Sequence, residues 1–378
     1  MNESKILILD PRGVISLGGS DVVKRHILYA QSLTKSKPTK KFNLSIFSSS
    51  IYTSSENKTG ILDLNLISKP TFNFYKFAKN CSNVIKEKRV DVELLVVGDP
   101  WESYWSAYFL NKFLKRKIPI QVQVHGDVGN PLWRKINFRN RVRFLFVRMS
   151  LKRCQVIRCV SKNQKLNLIN TFGLDERKIV VIPVPIEVVN LALVPSKRPR
   201  TIGLIGRIHE DRGIWNFVEL VKNLNKFDAS FKLLIAGDGP ARDKFIHQLE
   251  KVIPKNRIKH LGQISQGKLR NNWKSIGVLI SMAPVESYGR VLRESLLAGV
   301  PVWATASSGV LDLLDSAEPG TVKVLDLKKN ESDLHKDFES LLRVKVGSKF
   351  RDKFIKENNS YADKLAKSWM DTIENFKK

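Results

Sequence analysis

Apolar residues recur along this chain in short unbroken runs, parted by longer stretches of helical spacing. The first run, Ile6 to Asp10, shows no alternation, as expected of a strand buried on both faces of a parallel sheet. Runs of the same kind fall at Leu44 to Phe47, Val92 to Val97, Ile120 to Val124, Val156 to Val160 and Val180 to Ile182. Helical patterns lie between them, at about Asp21 to Ser36 with Asp21 as cap, at Phe72 to Lys88 and at Ser103 to Leu114. Strand and helix in alternation predict a doubly wound parallel sheet.

The alternation stops at Pro183-Val-Pro185, and Pro195-Ser-Lys-Arg-Pro199 follows; prolines at both ends predict an interdomain linker over 185–199. It restarts at Thr201 to Ile205 and continues through Lys232 to Ala236, Ile258 to Leu261, Val278 to Ser281, Val300 to Ala304 and Val322 to Leu325. From Ser332 to Lys378 the pattern is polar and helical, with no further strand. The fold class is therefore α/β, with two Rossmann-like domains over 1–184 and 200–356. The last residues, 357–378, are expected to form a helix that packs back on the N-terminal domain. At 378 residues the chain exceeds the size at which one core stops growing, which agrees with two domains.

Charge changes the picture. The chain holds 65 Lys and Arg against 36 Asp and Glu, a net +29, and such a surface attracts nucleic acid, anionic lipid or acidic glycans. Three cysteines without a Cys-x-x-Cys pair form no disulfide framework, so a reducing cytoplasm is expected. No run approaches the roughly 20 apolar residues of a spanning helix, and the start lacks a signal-peptide core. The expected location is the cytoplasm, with any membrane contact peripheral at the inner face of the plasma membrane.

From Pro131 to Lys165 there is no Asp or Glu. Phe138, Val142, Leu145 and Met149 recur there at helical spacing, and Phe144, Val147 and Leu151 make a second stripe separated by cations. One stripe is suited to the sheet and the other to an anionic bilayer surface; the alternative is a core helix with a solvated basic face.

Candidate chemistry gathers where strands give way to helices. Gly206-Arg207 and Arg212-Gly213 follow the first strand of the second half, and Ala236-Gly237-Asp238-Gly239-Pro240 follows the next. Glu286 and Glu294 flank a short turn, Ser287-Tyr288-Gly289, that leads into Arg290-Val291 and a brief helix stopped by Gly299 and Pro301. Paired cations near a helix start, with carboxylates close by, suit a diphosphate joined to sugars. Neither half carries Gly-x-Gly-x-x-Gly after its first strand, which argues against a nicotinamide or flavin enzyme. No Asp-x-Asp or His-x-x-x-His spacing points to a metal, and no Ser-His-Asp or Cys-His arrangement to a covalent nucleophile.

Taken in this order, and with the run Leu296-Leu-Ala-Gly-Val-Pro-Val302 behind them, these motifs resemble glycosyltransferase family 4, the glycosyl transferases of group 1. The resemblance covers about Thr201 to Gly309; the first half resembles the family more loosely, through Gly18-Gly19, His125-Gly126 and Ser161 to Pro183. It implies the GT-B architecture, two Rossmann-like domains facing across a cleft with a helical tail, and a retaining, metal-independent hexosyltransferase. By resemblance the donor is a UDP- or GDP-sugar and the acceptor a glycan or lipid-linked molecule, in cell-surface polysaccharide or lipopolysaccharide synthesis.

Residue by residue, the resemblance implies that Arg207 and Arg212 neutralise the donor diphosphate, the latter standing where the family usually has lysine. Glu286 would contact hydroxyls of the transferred sugar, His125 would act near that sugar, and Glu294 would accept from the ribose. Gly18, Gly19, Gly206, Gly237, Ser287, Tyr288, Gly289, Arg290 and Val291 would complete the donor site, with Ile264 near the base. Read without the family, Glu294 is an i,i+4 partner for Arg290. Trp101, Tyr104, Trp105, Tyr108 and Phe109 are either plain core or the lining of an acceptor pocket. A second reading is a basic nucleic-acid-binding protein, yet no recognisable module for that task is present, so nucleic acid is not expected as a partner.

Overall fold

A computed structural model describes residues 4–17, 20–35, 42–49, 57–58, 62–68, 73–188 and 198–377. The chain forms two compact units, residues 1–185 with 359–378, and residues 186–358.

In the first unit the strands are β1 (Ser4–Asp10), β2 (Phe42–Ser49), β3 (Asn57–Lys58), β4 (Leu62–Ser68), β5 (Asp91–Val97), β6 (Ile120–Gln123), β7 (Val156–Cys159) and β8 (Ile179–Val181). They lie in the order β3-β4-β2-β1-β5-β6-β7-β8, and every neighbouring pair is parallel except β3 with β4. Central β1 and β5 are apolar throughout their inner registers because helices cover both faces. The sequence pattern missed β4. Leu62-Asp-Leu-Asn-Leu alternates strictly, as suits a strand near the sheet edge with one face partly solvated.

The tail completes this core. Helix Tyr361–Lys377 buries Tyr361, Leu365, Ala366, Trp369, Thr372 and Ile373, a stripe at helical spacing. Trp369 is fully buried and meets the Tyr29 ring edge-on at 6.0 Å. Gln121 Nε2 on β6 donates to Ser368 Oγ at 3.0 Å.

The second unit contains β9 (Thr201–Ile205), β10 (Lys232–Ala236), β11 (Ile258–His260), β12 (Val278–Ser281), β13 (Val302–Ala304) and β14 (Val322–Val324). All run parallel in the order β11-β10-β9-β12-β13-β14. Strand β13 starts after Pro301, later than the apolar run suggested, since proline cannot donate to the ladder. The order reverses at β9, so its carboxyl end and that of β12 border a topological switch point, where open α/β sheets bind ligands. The polar tail is broken into helices Glu331–Arg343, Lys349–Asn359 and Tyr361–Lys377.

Candidate active site

The site is built from glycines upward. Gly206, with φ of 140°, turns the chain off β9, and its N–H donates to Ala236 O at 2.9 Å. A Cβ on Gly237 would stand 1.8 Å from Gly206 O, and one on Gly239 2.2 Å from Ile208 O. Ile208 N donates to Asp238 O at 2.9 Å and Gly237 N to Gly262 O at 2.8 Å. The turns after β9, β10 and β11 are thus braced backbone to backbone, a contact only glycine permits. They frame a cavity of about 610 Å³ whose lining includes Gly206, Arg207, Gly237, Gln263 and Ile264. Asp238 does local work: it accepts from Gly239 N at 2.7 Å and pairs with Arg242 at 3.2 Å.

A second device lies one turn further along. Gly213, with φ of 70°, opens helix Ile214–Asn225, and a Cβ there would meet Met282 O at 2.3 Å. That close approach brings the preceding residue to the loop after β12. Arg212 Nη2 donates to Glu286 Oε2 at 2.9 Å, with the two side chains 34% and 21% exposed. Glu286 Oε1 accepts from Gly289 N at 3.3 Å, and Glu286 O accepts from Gly309 N at 2.8 Å. Gly289, at φ 70°, starts helix Arg290–Leu297 with no side-chain cap. The helix therefore turns the positive end of its dipole towards an arginine–glutamate pair.

Arg207 is 60% exposed and donates from Nη2 to Asp211 Oδ2 at 2.9 Å. Asp211 N donates to His209 Nδ1 at 3.3 Å, so Asp211 braces this turn through its carboxylate and its backbone. Glu294 is buried; Arg290 Nε stands 3.3 Å from its Oε1 and Gln266 Nε2 donates to the same oxygen at 3.4 Å. The i,i+4 pair thus forms, and the carboxylate is also tied to the loop that carries Ile264. Ser287 and Tyr288 are buried, and the Arg293 guanidinium lies 3.9 Å from the centre of the Tyr288 ring. Val291 is half-buried in the first turn of the same helix.

Sequence reasoning missed Asp211, Gln266, Arg293 and Gly309. The last had a readable signal, Ser307-Ser-Gly at a helix start: its Cβ would fall 2.6 Å from Tyr288 C, so glycine lets that helix close on the Glu286 loop. Gln266 depends on a contact with Glu294, 28 residues away in sequence, while Asp211 and Arg293 serve neighbours within five residues and carry no motif of their own.

His125 belongs to the first unit, just beyond β6, with its ring accessible to solvent. Crowding by surrounding protein, then the charges of Arg158 and Arg25 and the nearby His26, hold its pKa far below the ordinary imidazole value. Solvent access relaxes the first cause but not the others, so the ring stays neutral at pH 7. His26 is pushed down to about 4, chiefly by burial. Both histidines favour folding above pH 6.5, and that contribution is lost as pH falls from there towards their folded values. Arg158 itself is buried and donates to Ile182 O, Gln123 Oε1 and Pro183 O, each at 2.8 Å. Gly18 and Gly19 lie outside the described residues. Among the described residues no group of three or more His, Cys, Asp or Glu is placed to hold a metal ion.

Residues 192–360 match the family model of glycosyl transferases group 1, and residues 40–189 that of glycosyltransferase family 4. The chain belongs to glycosyltransferase family 4. Among its curated relatives is the phosphatidylinositol N-acetylglucosaminyltransferase gpi3 subunit of Schizosaccharomyces pombe, 24% identical over 58% of this chain and 47% of that one. The 2-deoxystreptamine glucosyltransferase of Streptomyces kanamyceticus is 25% identical over 46% of this chain and 48% of its own length. The chain thus spans about half the length of these curated relatives.

Solved structures share its GT-B fold. A glycosyltransferase from Rickettsia africae matches with a TM-score of 0.67 and 20% identity, covering 99% of this chain and 100% of that one. The lipopolysaccharide outer core galactosyltransferase WaaB matches at 0.68 with 14% identity over 99% and 100%. Anabaena HepE, solved with UDP and glucose, matches at 0.63 with 16% identity over 98% and 96%.

Proposed function

We propose that this glycosyltransferase moves a hexose from a nucleoside-diphosphate sugar to a glycan or lipid-linked acceptor with retention of anomeric configuration. Cell-surface polysaccharide or lipopolysaccharide synthesis is the setting that fits best. The observation that carries the reading is the Arg212–Glu286 pair at the start of helix Arg290–Leu297, in the same unit as the glycine-braced cavity that Arg207 lines. Solved relatives of the same fold hold UDP with glucose, and UDP-glucose.

In this reading the diphosphate lies against the helix start with Arg207 and Arg212 on its oxygens. As the bond from the anomeric carbon to the β-phosphate oxygen breaks, negative charge grows on that oxygen. Fixed guanidinium groups and backbone N–H donors stabilise it without reorganising. The acceptor hydroxyl attacks the same face of the sugar and passes its proton to the departing phosphate, so no enzyme nucleophile is required. Glu286, oriented by Arg212 and Gly289 N, accepts from sugar hydroxyls, and Glu294, oriented by Gln266 and Arg290, accepts from the ribose. The loop at Gln263-Ile264 faces the base, and neutral His125 serves the acceptor-binding unit. We expect no metal, since two arginines and a helix dipole offset the diphosphate charge.

A panel of UDP-, GDP-, ADP- and dTDP-sugars, incubated with the protein with and without bacterial membrane extract, tests this. One donor should release nucleotide, faster with extract, and proton NMR should show an α-linked product from an α-linked donor. No release from any donor, or an inverted product, contradicts the reading.

A further inference from the structure

Helix Phe138–Arg153 turns one side into the first unit and leaves the other bare. Val147, Ser150 and Leu151 are buried, as is Asn140, whose Nδ2 donates to Trp133 O at 3.0 Å. On the opposite side Phe138, Val142, Leu145 and Met149 are 76%, 40%, 63% and 39% exposed. Their spacing of four, three and four residues sets them in one line along the helix. Arg141, Arg148 and Lys152, all exposed, run along one flank of that line. Arg139 and Arg143 run along the other, held by Glu102 Oε1 at 3.5 and 2.8 Å. Phe138, Val142 and Phe146 also line a slot of about 370 Å³ with Trp101 and Trp105.

Three kinds of partner would respond to a surface this basic, and the side chains separate them. A nucleic acid would use the cations but has no place for a line of aliphatic groups pointing away from the protein. The core of a protein interface is depleted in charged residues, whereas here Arg141, Arg148 and Lys152 follow the apolar line on one side and Arg139 and Arg143 flank its first half on the other. A bilayer uses both features: the apolar line enters the boundary between headgroups and acyl chains while Lys and Arg reach up to lipid phosphates. No described helix is long and apolar enough to cross a membrane, so the contact is of the surface kind.

We propose that this face docks on an anionic phospholipid bilayer, with Phe138 and Leu145 entering the acyl boundary and the flanking Arg and Lys on lipid phosphates. The docking is independent of the donor chemistry; its consequence for the transfer reaction is that the acceptor is met at the membrane surface.

Flotation on phosphatidylcholine vesicles, with and without phosphatidylglycerol, tests the proposal in the full-length protein. The wild type should float with the anionic vesicles and not with the neutral ones. The Phe138→Ser/Leu145→Ser double variant keeps the net charge of +29, and its partitioning should fall by about tenfold or more at physiological salt. Because both positions are exposed, its circular dichroism and melting temperature should match the wild type, and an Arg141→Gln/Arg148→Gln variant supplies a second loss of binding. Equal recovery from both vesicle types, or recovery from neither, overturns the docking. So does undiminished binding by the serine variant, which would show adhesion of a polycation to any anionic surface. None of these readouts involves sugar transfer, so failure here leaves the enzymatic reading standing and the reverse holds too.

Discussion

Alanine in place of Arg212 is expected to lower kcat by about 10²–10³-fold, the range found when one preorganised donor to a developing oxyanion is removed. The loss should fall mainly on kcat, because the charge it meets grows as the sugar leaves. Folding should be spared. The Arg212–Glu286 pair is partly solvated, at 34% and 21% exposure, and pairs of that kind contribute about 0–1 kcal/mol. Arg212→Lys tests the geometry separately: it keeps the point charge but loses the fork that presents one N–H to Glu286 and others to phosphate, so it should recover only part of the rate. Steady-state kinetics beside a thermal melt decide the matter. A variant with wild-type kcat would remove Arg212 from the chemistry, and one that unfolds would assign the pair to stability.

The second large effect is expected from Gly237→Ala. A methyl group there would lie 1.8 Å from Gly206 O, a backbone atom with no freedom to swing aside, and φ of 149° is itself unfavourable for an L side chain. Strain of about 1–3 kcal/mol from the backbone, with about 1–3 kcal/mol from overpacking, predicts a substantial loss of stability in the second unit. It also forces apart the turns after β9 and β10 that shape the cavity, so nucleotide binding should disappear even where the variant remains folded. Gly98→Ala is the matched control, since nothing lies within 4 Å of its Cβ and its φ is ordinary; it should change stability by no more than about 0.5 kcal/mol. Denaturant unfolding of both variants, with nucleotide titrations on the folded fraction, separates the two outcomes. Equal stability for the two substitutions would contradict the bracing role.

Much of this was legible because buried parallel strands write themselves as unbroken apolar runs. Thr201–Ile205, Lys232–Ala236 and Val278–Ser281 form strands with the bounds their sequence announces. Leu62–Ser68 escaped because a partly solvated strand interrupts its apolar run with Asp63 and Asn65, and its partner Asn57–Lys58 is too short to carry any period. At the site, the motif residues announced themselves by glycine and charge, whereas their supports did not. Asp211 matters because it lies between Arg207 and His209, and Gln266 because its loop folds onto Glu294, 28 residues away in sequence. Arg293 looks like one more surface cation in a basic helix, yet it is buried against Tyr288. Helix Phe138–Arg153 was ambiguous for a different reason: two apolar stripes are present, and only packing shows that the Val147–Leu151 side faces inward.

The central claim is that the second unit grips a diphosphate through Arg207, Arg212 and a helix start, and it is tested most directly by calorimetric titration of UDP and GDP in EDTA. At least one nucleotide should bind at one site per chain without metal, and Arg207→Ala should weaken it by about tenfold or more, the loss of one charge-assisted contact. Absence of binding by either nucleotide, or equal affinity in the Arg207→Ala variant, would contradict the account.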